Sequence, residues 1–379
     1  MKKILTLAVF GGLLAATTLQ AQVEIFICGS TAFRSNAYRA IRSMFDGGAP
    51  AMSPATTSSS GAMTFQGNIN SMFPSQTVTI YCYWTGSVQG IHSLTATPGD
   101  SLPFHTMTDA TYNHTADLAF SDVFQASSGF TTPELTDEPV AVQPFVWVRS
   151  SNCPTTVTNI TMQQLRFALQ GSCPLSYLTG NSSDYSSTLY FTGRTKDSGS
   201  RVIALSDCAY SGTYNVYSNA FGTWTKFTAN QIVNGVNYGP GFTSGGTEAG
   251  NLALTSVNGG GVGYLGYADA RTAVSAGGTS TAQIITYNGG LPFNGWTGST
   301  NGFDHPDWTP ITTGKYSLWG PEHLFINPSG ANYATAYPVF TNLATYVDLD
   351  ISNTVPVTAI RLSQMGNTSR SADGGKIAP

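Results

Sequence analysis

Apolar, β-branched runs that stop at a small-residue turn and then give way to helical spacing recur along the first half of this chain. Val23 to Cys28 (VEIFIC) reads as a buried strand that ends at Gly29. Ala37, Ile41 and Phe45 follow at helical spacing, and Gly47-Gly48 stops that helix. Gln76 to Trp84 (QTVTIYCYW) is a second strand, broken at Gly86, with Val88, Ile91 and Leu94 marking a short helix beyond it. A third strand is centred on Ala116 to Phe120 and ends at Ser121-Asp122. Strands alternating with helices in this way predict an α/β fold with a parallel sheet.

Pro139 to Val148 (PVAVQPFVWV) is the most apolar stretch, and its Pro144 argues against an ordinary interior strand. A crossing between two lobes accommodates such a proline. Further on, Ile160 to Leu169 reads as a helix capped near Thr161, Thr188 to Thr192 as a strand, and Gly259 to Ala270 as a glycine-rich turn leading into VGYLGYADA. Beyond about residue 275 turns dominate, with strands expected near Tyr337–Phe340 and Ile360–Leu362. Ser53 to Gly61 is a polar loop of low complexity.

The N-terminus sets the compartment. Lys2 and Lys3 precede an apolar run from Ile4 to Ala16, and Leu19-Gln20-Ala21 offers a small-residue cleavage site. The run is shorter than the ~20 residues of a membrane span, so it reads as an export signal over residues 1–21, with no cysteine at the cut to carry a lipid anchor. The mature chain is expected in the periplasm or outside the cell. Its length of about 358 residues suits two domains. Only 9% of residues are charged, and the net charge is −4 before Lys2 and Lys3 are lost. An acidic chain lacks the basic patches that drive nucleic-acid binding. Cys28, Cys82, Cys153, Cys173 and Cys208 make an odd count with no CxxC spacing. Cys153 and Cys173, each followed by proline in neighbouring loops, are the expected disulfide.

Three strand ends share one chemistry: Gly29-Ser30-Thr31-Ala32-Phe33, Thr85-Gly86-Ser87, and Arg194 through Ser198-Gly199-Ser200. A helix N-terminus presents unpaired N–H groups and partial positive charge, which suits an anion. Glycine lets backbone approach, hydroxyls add donors, and an arginine can grip two oxygens. Singly, each turn is also what an ordinary helix cap looks like. Open parallel sheets, however, place ligands at the carboxyl ends of their strands, where all three turns sit.

The order of these segments resembles the phosphate-binding proteins of phosphate ABC transporters, within the type 2 periplasmic binding fold. GSTAF resembles that family's turn after its first strand, and YCYWTGSVQGI its second strand and GSSGG-type turn. DLAFSDV is similar to its D-[FI]-[GA]-x-S-D segment, EPVAVQPFVWVRSS to its hinge strand, and VGYLGYADA to its IGYVEYAYA segment. MQQLRFALQGSCPL sits where the family has a helix ending in a glycine. Arg194-x-x-x-Ser198-Gly199-Ser200 matches Arg, three residues, Ser-Gly-Thr, with serine for threonine at Ser200 and Lys196 where the family usually has Asp. The likeness runs in order over residues 23–270.

The resemblance implies two lobes, each a central mixed sheet flanked by helices, with a ligand cleft between them. Lobe I would be 22–142 plus 275–379 and lobe II 143–274, joined by crossings near 140–146 and 268–280. It further implies phosphate or a similar oxyanion held by Ser30, Thr31, Ala32, Phe33, Ser87 and Asp122 from one lobe and Arg194, Ser198, Gly199 and Ser200 from the other. A monomer without cofactor, serving an ABC-transporter permease, goes with that reading. Asp122 would accept the proton of hydrogen phosphate and repel sulfate, which has none; a lone Asp there is otherwise a turn cap. No GxSxG, HExxH or P-loop points to an enzyme, and Asp304-His305-Pro306-Asp307 reads as a turn before a metal site. The alternative is a secreted surface or structural protein that reuses this fold, which the Gly, Asn and Tyr richness of residues 209–302 would suit.

Overall fold

A computed structural model describes residues 22–54, 61–220, 222–233, 235–256, 259–275, 282–295 and 304–378. The expected export signal at residues 1–21, residues 55–60 of the polar loop and residues 276–281 of the second expected crossing lie outside the described residues. In chain order the elements begin with β1 (Val23–Gly29), α1 (Arg34–Met44), β2 (Ala51–Ser53), β3 (Ala62–Asn68), β4 (Thr77–Tyr83) and α2 (Ser87–Thr95). The hairpin β5 (Leu102–His105) and β6 (Thr111–His114) precedes β7 (Leu118–Ser121), α3 (Gln125–Ser128) and the long β8 (Thr136–Arg149). Then come β9 (Asn159–Ile160), α4 (Met162–Ala168), β10 (Cys173–Pro174), α5 (Ser176–Thr179), β11 (Thr188–Phe191) and α6 (Gly199–Asp207). Two hairpins, β12 (Tyr217–Ala220) with β13 (Thr223–Lys226) and β14 (Gln231–Val233) with β15 (Val236–Gly239), lead to α7 (Gly245–Ala253). The last elements are β16 (Gly260–Gly266), α8 (Tyr267–Ser275), β17 (Gln283–Tyr287), α9 (Thr309–Thr312), β18 (Trp319–Ile326) and α10 (Tyr333–Asn353).

The central sheet is mixed, in the order β10-β11-β16-β8-β18-β7-β1-β4-β3-β2, with β17 and β9 as a side branch on β8. β4, β1 and β7 are parallel, as are β11 and β16, while β18 and β8 run against their neighbours. β8 joins the two halves. Its residues 136–144 pair with β18, and residues 145–149 pair with β16. Pro144 sits where one partner ends and the other begins, so its missing N–H interrupts little, and Pro139 lies at a register shift.

Just before β18, the Leu318 carbonyl accepts from Phe145 N–H at 3.1 Å. β17 pairs with residues 147–149 of β8, and α8 runs up to Ser275.

Apolar periodicity explains where the core sits. One face of β1 (Val23, Ile25, Ile27) packs with Ala37, Ile41 and Met44 of α1 and with Val339, Leu343 and Val347 of α10. The other face (Phe26, Cys28) packs under α2 and continues into the core of the second half around Trp147 and Tyr264. Tyr337–Phe340, expected as a strand, lies within the 21-residue α10, and Ile360 makes only an isolated bridge to Val142. The buried positions Ala336, Val339, Phe340, Leu343, Val347 and Ile351 keep helical spacing across Pro338, and burial of that stripe outweighs the bond the proline removes.

The expected Cys153–Cys173 disulfide is absent: all five cysteines are free and buried. Cys153 lies over Gly260 of β16, whereas Cys173 is two strands away on β10, roughly 10 Å at ordinary strand spacing. Burial pushes the Cys153 thiol up to about 12 and the Cys208 thiol up to about 11. Among the described residues no helix is long and apolar enough to cross a membrane.

Candidate functional site

The first turn is forced by glycine. Gly29 has φ +112°, and a Cβ there would lie 2.0 Å from the Phe120 carbonyl oxygen. That close approach lets Ser30 N–H bond to Phe120 at 2.8 Å. Ser30 Oγ accepts from Phe33 N–H at 3.2 Å, capping the chain into α1, and donates to Glu322 Oε2 at 3.4 Å. Ala32 and Phe33 complete the turn, with Phe33 fully buried.

The second turn is stitched to the first. Gly86 N–H reaches the Gly29 carbonyl at 2.8 Å, and Gly86 holds φ +117°. Ser87 opens α2, and its hydroxyl donates to Asp122 Oδ1 at the end of β7. Burial pushes the Asp122 carboxyl up to about 6, while the Ser87 hydrogen bond and the Arg194 charge pull the other way.

From the other half of the sheet comes Arg194, only 2% exposed. Its Nε donates to the Phe242 carbonyl at 3.0 Å and its Nη2 to the Thr243 carbonyl at 2.8 Å. Nη2 also reaches Thr31 Oγ1 at 3.1 Å, and Nη1 lies 3.5 Å from Ser200 Oγ. Ser198 Oγ and Ser200 Oγ are 2.7 Å apart at the start of α6. A Cβ on Gly199 would lie 1.5 Å from Asp122 Oδ1 and 2.9 Å from Ser87 Oγ, so α6 begins directly against the first half. Val88 N–H, at the head of α2, bonds to the Asp197 carbonyl at 2.9 Å. Thr31, Ser87, Asp122, Arg194, Ser198, Gly199 and Ser200 therefore meet at one place, where α2 and α6 begin close to the first turn of α1.

Four further residues belong here that sequence reading passed over. Glu322 of β18 is fully buried, and burial beside Asp122 raises its carboxyl well above the usual range. Gln143 of β8 is equally buried, with its Nε2 3.5 Å from where a Gly266 Cβ would stand. Arg34, the first residue of α1, has its pKa lowered by burial, opposed by the Asp269 charge and assisted by that of Arg194. Burial pushes Asp269 up to about 6 against the pull of Arg194 and Arg34. Asp269 also abuts the start of α7, since a Gly245 Cβ would lie 2.0 Å from its Oδ2. One signal was present: a charge inside the apolar run Trp319–Ile326 is rarely decorative.

A separate cavity of about 470 Å³ lies behind the Arg194 turn, lined among others by Lys196, Arg201, Tyr214, Lys226 and Asn237. Asp304 pairs with Arg271 of α8 at 2.5 Å, and Asp307 accepts from Thr309 N–H at 3.0 Å.

No protein-family model matches the chain, and no curated protein matches it significantly. Solved structures do. A candidate phosphate ABC transporter substrate-binding protein with bound phosphate, from Clostridium perfringens, is similar at TM-score 0.51 and 11% identity, over 89% of this chain and 99% of that one. An ABC-type phosphate transport receptor from Vibrio cholerae aligns at TM-score 0.44 and 15% identity, covering 85% and 93%. A candidate phosphate binding protein from Planctomyces limnophilus aligns at 0.42 and 11%, covering 90% and 94%. The first of these likenesses shows a shared fold: a mixed α/β architecture with a large central sheet flanked by helices.

Proposed function

We propose that this chain is an exported solute-binding protein that captures phosphate or a similar tetrahedral oxyanion between the two halves of its sheet. The observation that carries this reading is the meeting of Thr31, Ser87, Asp122, Arg194 and Ser198–Ser200 at adjoining helix N-termini. The similar Clostridium perfringens protein was solved with phosphate bound. Lobe I is proposed as residues 22–144 plus 318–378 and lobe II as 145–317, hinged where β8 changes partner and where the chain returns at Leu318. Periplasmic residence, a monomeric state and delivery to an ABC-transporter permease complete the proposal.

The donors of the site are taken by acceptors within it: Ser87 donates to Asp122, Arg194 to Thr31, and Val88 N–H to the Asp197 carbonyl. A ligand enters by hinge opening and replaces those contacts with its own oxygens. The same mutual pairing supports the second reading, a secreted surface protein that keeps the fold and has closed the site permanently. Calorimetric titration of the mature chain, stripped of anion, with inorganic phosphate separates them. Saturable binding with Kd well below ~1 mM supports the proposal; no heat at that concentration hands the case to the surface protein.

A further inference from the structure

The floor of the site is made of acceptors. Gly320 and Glu322 share one face of β18, and a Cβ on Gly320 would lie 2.8 Å from the Asp122 carbonyl oxygen, so that face looks toward Asp122. Glu322 Oε2 receives the Ser30 hydroxyl, while Oε1 is buried with no partner. Gln143 stands opposite Gly320 in register, and its Oε1 is likewise buried and unpartnered. Unpaired acceptors in a dry site are costly unless something donates to them.

The charges point the same way. Arg194 and Arg34 supply two cations, against the carboxyls of Asp122, Asp197, Asp269 and Glu322, with Glu248 and Arg201 facing Arg194 from behind. Beyond these, Asp373 lies within electrostatic reach of Asp122, and His323, next along β18, bonds to Asp137. A dianion added to that set leaves a buried excess of negative charge that protons must offset.

We infer that the site takes up an oxyanion together with protons shared between the ligand oxygens and the Asp122 and Glu322 carboxyls, with Gln143 closing the floor. Glu322 is thereby a specificity-determining residue. This rests on the oxyanion-binding reading above.

The test is calorimetry with inorganic phosphate on the mature chain at about pH 5 and about pH 9, either side of the second ionisation of free phosphate near ~7. Running each titration in two buffers of different ionisation heat counts the protons taken up. The expected result is binding at least ~10-fold tighter at the lower pH, and uptake of about one proton per phosphate at the higher. Glu322→Gln, similar in shape, should reduce the affinity ratio to less than ~3-fold and reduce the uptake with it. Should that variant not fold, the proton count on the wild type decides alone. Equal affinity at both pH values with no proton uptake overturns the inference and leaves phosphate binding standing. A wild type that binds at neither pH removes the reading on which it rests, and the inference with it.

Discussion

Arg194 shows at the scale of one residue how a proposed binding group is also a structural one. Its guanidinium is fixed by the carbonyls of Phe242 and Thr243, which leaves Nη1 and the Thr31-facing edge of Nη2 for a ligand. Removing it strands those acceptors in a water-poor site. Arg194→Ala should weaken phosphate binding at least about thirtyfold, or ~2 kcal/mol, as calorimetry would report. Binding unchanged in that variant would place the anion elsewhere. The buried carboxyls give a second expectation. Asp122 and Asp269 are pushed up to about 6 and Glu248 up to about 8, each chiefly by burial. The folded state therefore holds these protons more tightly than the unfolded chain does. Their contribution is complete in acid and is lost as pH rises through about 6 and then about 8. Thermal unfolding of the anion-free chain should show a midpoint that falls from about pH 5 to about pH 8.5. A midpoint that climbs over that range would contradict the burial argument.

Individual elements divide by how local their signals are. The strand–turn–helix units at β1–α1, β4–α2 and β11–α6 were legible because each is written in about twenty consecutive residues, with glycine or a hydroxyl at the turn. Thr161 likewise announces α4, through a reciprocal capping box with Gln164. α10 was not legible in a short window: aromatic and β-branched residues around Pro338 imitate a strand, and only the longer spacing from Ala336 to Ile351 reveals the helix. The roles of Glu322 and Gln143 were hidden for another reason, since their neighbours come from other strands far away in sequence. Gly199 carries the sharpest expectation at this scale. With a Cβ 1.5 Å from Asp122 Oδ1, Gly199→Ala must push α6 away from β7. That overpacking should cost ~1–3 kcal/mol in denaturant unfolding and abolish phosphate binding. A variant as stable and as avid as the wild type would show that α6 does not close on Asp122 as described.

For the whole molecule, the decisive feature is that one strand, β8, belongs to both halves of the sheet, and the proposed function requires motion about it. Its apolar run and Pro144 were visible in the sequence; the bond of Phe145 to Leu318, at the proposed return, was not, because Leu318 follows turns without periodic signal. The cysteine count misled for a related reason. Cys-Pro steps look like exposed loops, whereas Cys153 and Cys173 fill separate parts of the core, out of bonding reach. Native, unreduced protein should thus resist thiol labelling until unfolded and then show all five thiols; fewer would mean a disulfide forms after export. The central claim is one of place: a tetrahedral oxyanion sits where Ser87, Asp122, Arg194 and the start of α6 meet. A crystal structure of the mature chain grown with phosphate tests it most directly. The account predicts phosphate oxygens within ~3 Å of Ser87 Oγ, Asp122, Arg194 and the Ser198–Ser200 turn, with the Arg194–Thr31 contact replaced. Phosphate found instead among Lys196, Arg201 and Lys226 in the neighbouring cavity, with the Ser87–Asp122 bond intact, would contradict it.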